Sequence, residues 1–390
     1  MTQLAITNLG TIVAGDYASP IAQGNTVLVE DGHIKAVGRE LDISGYETVI
    51  DANGMTAIPG LWDTHVHTLL GDYTPRQQTL DFLDSMVHGG VTSVISAGEV
   101  HVPGRAHDPV AAKAMAILAH RTFKNLRPTG LKVHGGAFIM EEGTIEKDFD
   151  ELAEAGVWLI GEAGLGSASL PHGVAPMIQW GKERGMIAKC HTGGQSIPGS
   201  SFVTADIVLA TGAQVAAHIN GGPTSLPMEH IEKLITDSDI IIELAQCGNA
   251  KSLHAAVDLI MAGLPRMQAR VIIGTDTPSG SGVYPLGIMK TIANISALNG
   301  VDPAVVIAWA TGNSARVYRQ NTGMLKEGYE ADIVIMDAPI GSVGSDALGA
   351  FAAGDHPGIA AVIIDGVQRV GKSRNTPPAT RLAGMKVITR

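Results

Sequence analysis

Between residues 56 and 324 the chain repeats one pattern about eight times: a short apolar run, a polar or glycine-rich end, then a stretch of helical character. The runs are TAIPGLWDTHVH, VTSVISAGEV, LKVHGGAFI, VWLIGEAGLG, MIAKCHTGG, QVAAHINGG, DIIIELAQCGN and RVIIGTDTP. Helical stretches lie among them at Gln77–His88, Pro109–Asn125, Thr144–Ala155, Pro176–Arg184 and Leu253–Ala262. Strands that alternate with helices pair in parallel, and about eight of them predict an α/β fold, a (β/α)8 TIM-like barrel. Residues 1–55 and 325–390 have a different texture, with short β-like runs separated by Gly, Asp and Asn turns. That pattern predicts antiparallel β structure at both chain ends, outside a barrel of residues 56–324. KSRNTPPATR, polar and containing two prolines, is expected on the surface as a loop or arm.

In a barrel of this kind the chemistry belongs at the C-terminal ends of the strands. The runs end there in His65 and His67, Glu162, His191, His218 and Asp276. Asp63, His65 and His67 are spaced by two, so they share one face of a strand, with Thr64 and Val66 on the other. Four imidazoles and two carboxylates at one end of one barrel form a metal-ligand set. Nitrogen and oxygen donors suit zinc or iron without selecting sharply between them. A carboxylate can bridge two ions through its two oxygens, so Glu162 and Asp276 are candidates for holding a pair of divalent metals.

The other histidines have plainer expectations. His33 lies in a turn of the terminal β region and His356 in a GDHPG loop, both suited to the surface. His134 ends the third run with Lys132 on the same face, which makes the pair candidates for contact with substrate. Cys190 should pack behind the barrel, and Cys247 should line the pocket without acting as a nucleophile.

Composition excludes several classes. The 390 residues suffice for a large barrel and a smaller domain, and the formal charge of −11 argues against nucleic acid as a partner. Two cysteines cannot build a disulfide framework and suit a reducing compartment. MTQLAITNLGTIVAGD lacks the basic flank and apolar core of a signal peptide. No apolar run approaches the ~20 residues needed to span a bilayer. A cytoplasmic protein that does not bind membranes is expected.

PGLWDTHVH, the later single histidines and the aspartate of GTD resemble, in order, the pattern of the amidohydrolase superfamily. Long segments carry a narrower likeness within it: GDYTPRQ, LKVHGG, GEAGLG, HTGGQSIPGSS, HINGGPT, QCGN, ATGNSA and KSRNTPPA. The resemblance implies the barrel, joined to a small β-sandwich built from both chain ends, residues 1–55 plus 325–390. It implies His65, His67, Glu162, His191, His218 and Asp276 as ligands of two divalent ions, zinc and/or iron. Glu162 stands where many relatives carry a carbamylated lysine. The resemblance further implies a homotetramer and hydrolysis of a cyclic amide from bacterial nicotinate degradation. The lactam 6-oxo-1,4,5,6-tetrahydronicotinate would give 2-formylglutarate and ammonia. Asp276 is then the expected proton shuttle. An anionic lactam needs a group to hold its carboxylate, for which Arg76, Lys132 and His134 are the candidates. Gln195, Ser167 and Tyr284 lie in segments that could shape the pocket. The alternatives are a dihydropyrimidine- or hydantoin-type amidohydrolase, a purine or amidine deaminase on the same barrel, or an inactive protein that has kept the fold.

Overall fold

Among the described residues, eight strands carry the middle of the chain. They are β1 (Leu61–Val66), β2 (Val91–Ser96), β3 (Lys132–His134), β4 (Leu159–Ala163), β5 (Ile187–Cys190), β6 (Val215–Ala216), β7 (Ile241–Ala245) and β8 (Val271–Gly274). The computed structural model describes residues 3–68, 77–100, 102, 104–127, 129–194, 201–222, 224–263, 265–278 and 284–387. Every neighbouring pair within the blocks β1–β3 and β4–β8 is parallel. Isolated parallel bridges from Phe138 to Ile160 and from Val66 to Thr277 link the edges of the two blocks.

The helices expected from periodicity are present at Gln77–His88, Pro109–Asn125, Glu146–Glu154, Val174–Glu183 and Ala250–Ala262. Their starts follow local chemistry. The Asp108 carboxylate accepts from the Ala111 N–H ahead of Pro109, and Asn249 accepts from the Ser252 N–H. Their apolar faces, including Phe123, Phe149, Leu152, Ile178 and Val257, pack on strand residues Val94, Ile160, Ala188, Ile242 and Ile273.

The first apolar run divides at Gly60. Leu61–Val66 joins the parallel strands, whereas Thr56–Pro59 pairs antiparallel with Ile333–Asp337 and parallel with Thr11–Val13. A Cβ at Gly60 would lie 2.2 Å from Thr92 Oγ1, so glycine is what lets the chain change sheets there. Thr56–Pro59 thus belongs to a six-stranded sheet with Thr11–Val13, Ile21–Ala22, Ile333–Asp337, Gly358–Ile364 and Val367–Val370. A five-stranded sheet holds Gln3–Thr7, Thr26–Glu30, His33–Gly38, Thr48–Asp51 and Gly384–Val387.

Strand alternation explains why the six-stranded sheet lies between two cores. Ile333 and Ile335 pack with Leu4, Ile6, Val27, Val29 and Ile50. Val334 and Met336, on the opposite face, join the core of the parallel strands. KSRNTPPATR is a loop, as expected, but a tethered one. Ser373 Oγ donates to the His88 carbonyl (2.7 Å), Asn375 Nδ2 to the Ser85 carbonyl (3.1 Å) and Arg381 Nε to Asp337 Oδ2 (2.7 Å). Among the described residues, no helix is long and apolar enough to cross a membrane.

Lys132 ties the third strand to the C-terminal segment. Its ammonium lies 2.6 Å from Glu330, 2.7 Å from Asp332 and 2.9 Å from Asp365. Asp332 is fully buried, so removing the cation would strand a charge away from water. Lys132→Met should therefore lower folding stability by about 3 kcal/mol, within the range for breaking a buried pair. Denaturant unfolding measures this, with an unchanged midpoint as the contrary result.

Candidate metal centre

The six expected ligands arrive from five strands. His65 lies in β1 and His67 just beyond it, Glu162 near the end of β4, and His191 directly after β5. His218 and Asp276 each lie two residues past the ends of β6 and β8. The structure brings all six together around Glu162. Its Oε2 is 3.3 Å from His65 Nε2 and 3.6 Å from His67 Nε2. Its Oε1 is 2.9 Å from His218 Nε2 and 3.5 Å from His191 Nδ1. Asp276 Oδ1 lies 3.4 Å from His65 Nε2 and 3.2 Å from His67 Nε2. Among the described residues, two groups have ligand atoms within 4.8 Å of one another: His65, Glu162 and His218; and His65, His67 and Asp276.

Buried atoms test whether this set fits a metal. His65 Nε2 and His191 Nδ1, both facing Glu162, are buried and make no hydrogen bond among the described residues. Such orphaned nitrogens are costly in a protein interior and are what a cation would satisfy. The carboxylates are ready to ligate. Burial opposes ionisation of Glu162, but His65 and His218 outweigh it and hold the carboxyl well below the usual range. Asp276 is likewise lowered against burial, by His65, His67 and His218. His218 (φ 30°) and Asp276 (φ 57°) also adopt the left-handed backbone that side chains other than glycine rarely take. Strain of this kind is held where a side chain must be aimed at a site.

Several supporting residues escaped the reading of the sequence. Glu243, on β7, is fully buried and accepts from His65 Nδ1 at 2.6 Å. Lys189, on β5, donates to its other oxygen at 2.7 Å. The signal was present: one charged residue in each of two otherwise apolar strands, IIELA and IAKC. Asp63 does not reach the cluster with its carboxylate. It accepts instead from Thr275 N (2.9 Å), Thr275 Oγ1 (2.6 Å) and His65 N (3.1 Å), tying β1 to the end of β8. Burial pushes the Asp63 carboxyl up to about 6, against these hydrogen bonds. Cys190 is buried, as expected. Cys247 donates its thiol to Asp276 Oδ2 at 3.0 Å, at the cluster itself.

The candidates for holding a substrate carboxylate divide differently. Lys132 is a correction: its three carboxylate partners occupy the ammonium at the junction with the C-terminal segment. His134 is a second. Its ring stacks on Trp62 at 5.4 Å and meets the edge of Trp158 at 5.6 Å. Trp62 is the second residue of β1 and Trp158 directly precedes β4, away from the cluster at the strands' C-terminal ends. Burial, followed by Lys132 and Arg127, pushes His134 down to about 4, leaving a neutral ring with no charge to offer an anion. Arg76 and Gln195 lie outside the described residues. Ser167 Oγ donates to Glu141 Oε2 at 2.6 Å, and the Tyr284 N–H donates to Thr277 Oγ1 at 3.2 Å.

The amidohydrolase family model matches residues 56–369, and the chain belongs to that family. The family fold is a TIM barrel, and its members generally bind divalent metal ions. The chain is 49% identical to the enamidase of Eubacterium barkeri over 385 residues, spanning 98% of this chain and 99% of that protein. It is similar in structure to the enamidase crystal structure, with a TM-score of 0.94 over 99% of this chain and 100% of that one, at 49% identity. A more distant likeness is to adenine deaminase 2 of Desulfotalea psychrophila, 26% identical over 83% of this chain and 52% of that protein.

Glu162→Gln preserves size while removing the charge that all four imidazoles face. The variant should purify without stoichiometric divalent metal by elemental analysis, with its far-ultraviolet circular dichroism unchanged. Wild-type metal content in that variant would remove Glu162 from the centre of the cluster.

Proposed function

We propose that this chain is a metal-dependent hydrolase of carbon–nitrogen bonds that opens a cyclic amide, with enamidase activity. The observation that carries the reading is 49% identity to enamidase over nearly the full length of both chains. The six-residue cluster supplies a chemical basis for it. The leading substrate is 6-oxo-1,4,5,6-tetrahydronicotinate. The proposed cofactors are two divalent ions, zinc and/or iron, held by His65, His67, Glu162, His191, His218 and Asp276. Glu162 suits the bridging position, because its two oxygens face different pairs of imidazoles.

When bound, such ions would supply Lewis acidity toward the amide carbonyl and would lower the pKa of a bound water. The work of the side chains follows from their placement. Asp276, ionised and at the edge of the cluster, takes the proton from the attacking water and returns it to the leaving nitrogen. Breaking the ring C–N bond gives an enamine carrying a new carboxylate. Tautomerisation to the imine and addition of a second water release ammonia and leave the aldehyde of 2-formylglutarate. Arg76 is the proposed holder of the ring carboxylate, through the two parallel bonds a guanidinium can make.

Eight strands closed into a (β/α)8 barrel are the proposed frame, on the support of the bridges at Phe138–Ile160 and Val66–Thr277. The two sheets from the chain ends form the proposed smaller domain. Because Thr56–Pro59 pairs with Ile333–Asp337, we place its boundary at Gly60. A homotetramer in the cytoplasm completes the proposal, and the two free cysteines suit a reducing compartment.

Mass spectrometry of the product tests the reaction. A ring-opened dicarboxylate with released ammonia is expected from the tetrahydronicotinate. Deamination of a purine or cyclic amidine with the ring retained, and no turnover of the lactam, would replace this reading with the deaminase one. Asp276→Asn should keep most of its metal and lose about 10²–10⁴-fold in turnover. Near-normal turnover by a metal-loaded Asn variant would place the proton shuttle elsewhere. Arg76→Met should raise KM for the carboxylated lactam far more than for its carboxamide, and equal losses on both would contradict the carboxylate contact.

A further inference from the structure

Beneath the cluster, β1, β5 and β7 meet in a buried polar group. Glu243 Oε1 accepts from His65 Nδ1 (2.6 Å) and from the His218 N–H (3.3 Å). Its Oε2 accepts from Lys189 Nζ (2.7 Å) and Thr64 Oγ1 (2.8 Å). Lys189 Nζ also donates to the Thr64 carbonyl. The His65 and Glu243 side chains are fully buried and that of Lys189 nearly so. A carboxylate and an ammonium in such surroundings are retained only when each satisfies the other. Neither group is among the six facing the cluster.

We propose that Glu243 and Lys189 act as one positioning unit that sets the tautomer and aim of His65. The inference rests on the metal-centre reading above and deepens it. An ionised Glu243 can only accept, so His65 Nδ1 carries the proton, and Nε2, facing Glu162 and Asp276, is the atom left to a bound cation. The Lys189 ammonium holds the other carboxylate oxygen and offsets its charge, so Glu243 neither turns away nor stands as an unpaired ion. Lys189 lies two residues before His191, and Glu243 also accepts from the backbone of His218. One ion pair thus sets three ligand-bearing segments relative to one another. Hydrogen bonds behind a ligating histidine commonly alter metal affinity ~10–100-fold when removed.

Two double variants separate this role from simple support of the fold, because each removes both charges together. Lys189→Met with Glu243→Gln keeps an amide oxygen that can accept from His65 Nδ1. Lys189→Met with Glu243→Leu keeps the charge balance but offers that nitrogen no acceptor. The readout is zinc release from the loaded protein to a chromophoric chelator, with folding followed by circular dichroism. The Gln double variant should release zinc near the wild-type rate, and the Leu double variant ~10–100-fold faster. Equal release from the two would overturn the assignment. A wild type that takes up no zinc would sink the metal centre itself, and this assignment with it. Should either variant fail to fold, neutron diffraction from the wild type decides. In the zinc-loaded protein, deuterium on His65 Nδ1 and none on Nε2 is expected, and a bare Nδ1 would overturn the assignment.

Discussion

The carboxylate of Glu162 is the interaction on which the rest of the arrangement depends. It is nearly inaccessible to solvent, and such a charge is not tolerated in an interior without partners. Here the partners are four imidazoles from three separate strand ends, two facing each oxygen. That requirement explains several costly features at once. Strands that begin in apolar packing end in polar groups at a common level. The left-handed backbone of His218 and Asp276 is held because it turns those side chains inward. His65 Nε2 and His191 Nδ1, which face Glu162 without hydrogen-bonding to it, are nitrogens a divalent cation would take.

A layered set of hydrogen bonds surrounds that carboxylate. Asp63 binds the backbone and hydroxyl of Thr275, next to Asp276, and so controls where β8 ends relative to β1. Gly274 belongs to the same fit, since a Cβ there would lie 2.6 Å from His65 Cβ. Cys247 meets Asp276 on the oxygen facing away from His65 and His67. Lys132 and its three carboxylates fasten β3 to the C-terminal segment at a distance from the reacting groups.

Much of this was legible in the order of residues, and the reasons for the exceptions are physical. Alternating strand and helix runs announced the frame because burial of parallel strands writes itself as apolar segments. The six clustered residues were legible because histidines and carboxylates recur at the same point of successive runs. Lys132 and His134 were misplaced for a specific reason. Alternation reports which face a side chain takes, and in a three-residue strand it does not report which end of the fold that face serves. The partners of Lys132 are about 200 residues away, with nothing local to mark them. Gly60 was read through because TAIPGLW is continuously apolar, and the division there depends on contact with Thr92. Glu243 and Lys189 were visible as lone charges in apolar strands, yet only their pairing in space gives them meaning.

The bridging position of Glu162 between two ions is the central claim, and it can be observed directly. Anomalous diffraction at the zinc and iron edges, from crystals of the metal-loaded protein, would locate each ion. Two peaks about 3.5–4 Å apart are expected, one against each oxygen of Glu162, as in two-metal hydrolytic sites generally. A single peak, or two peaks with Glu162 bonded to neither or to only one, would contradict it.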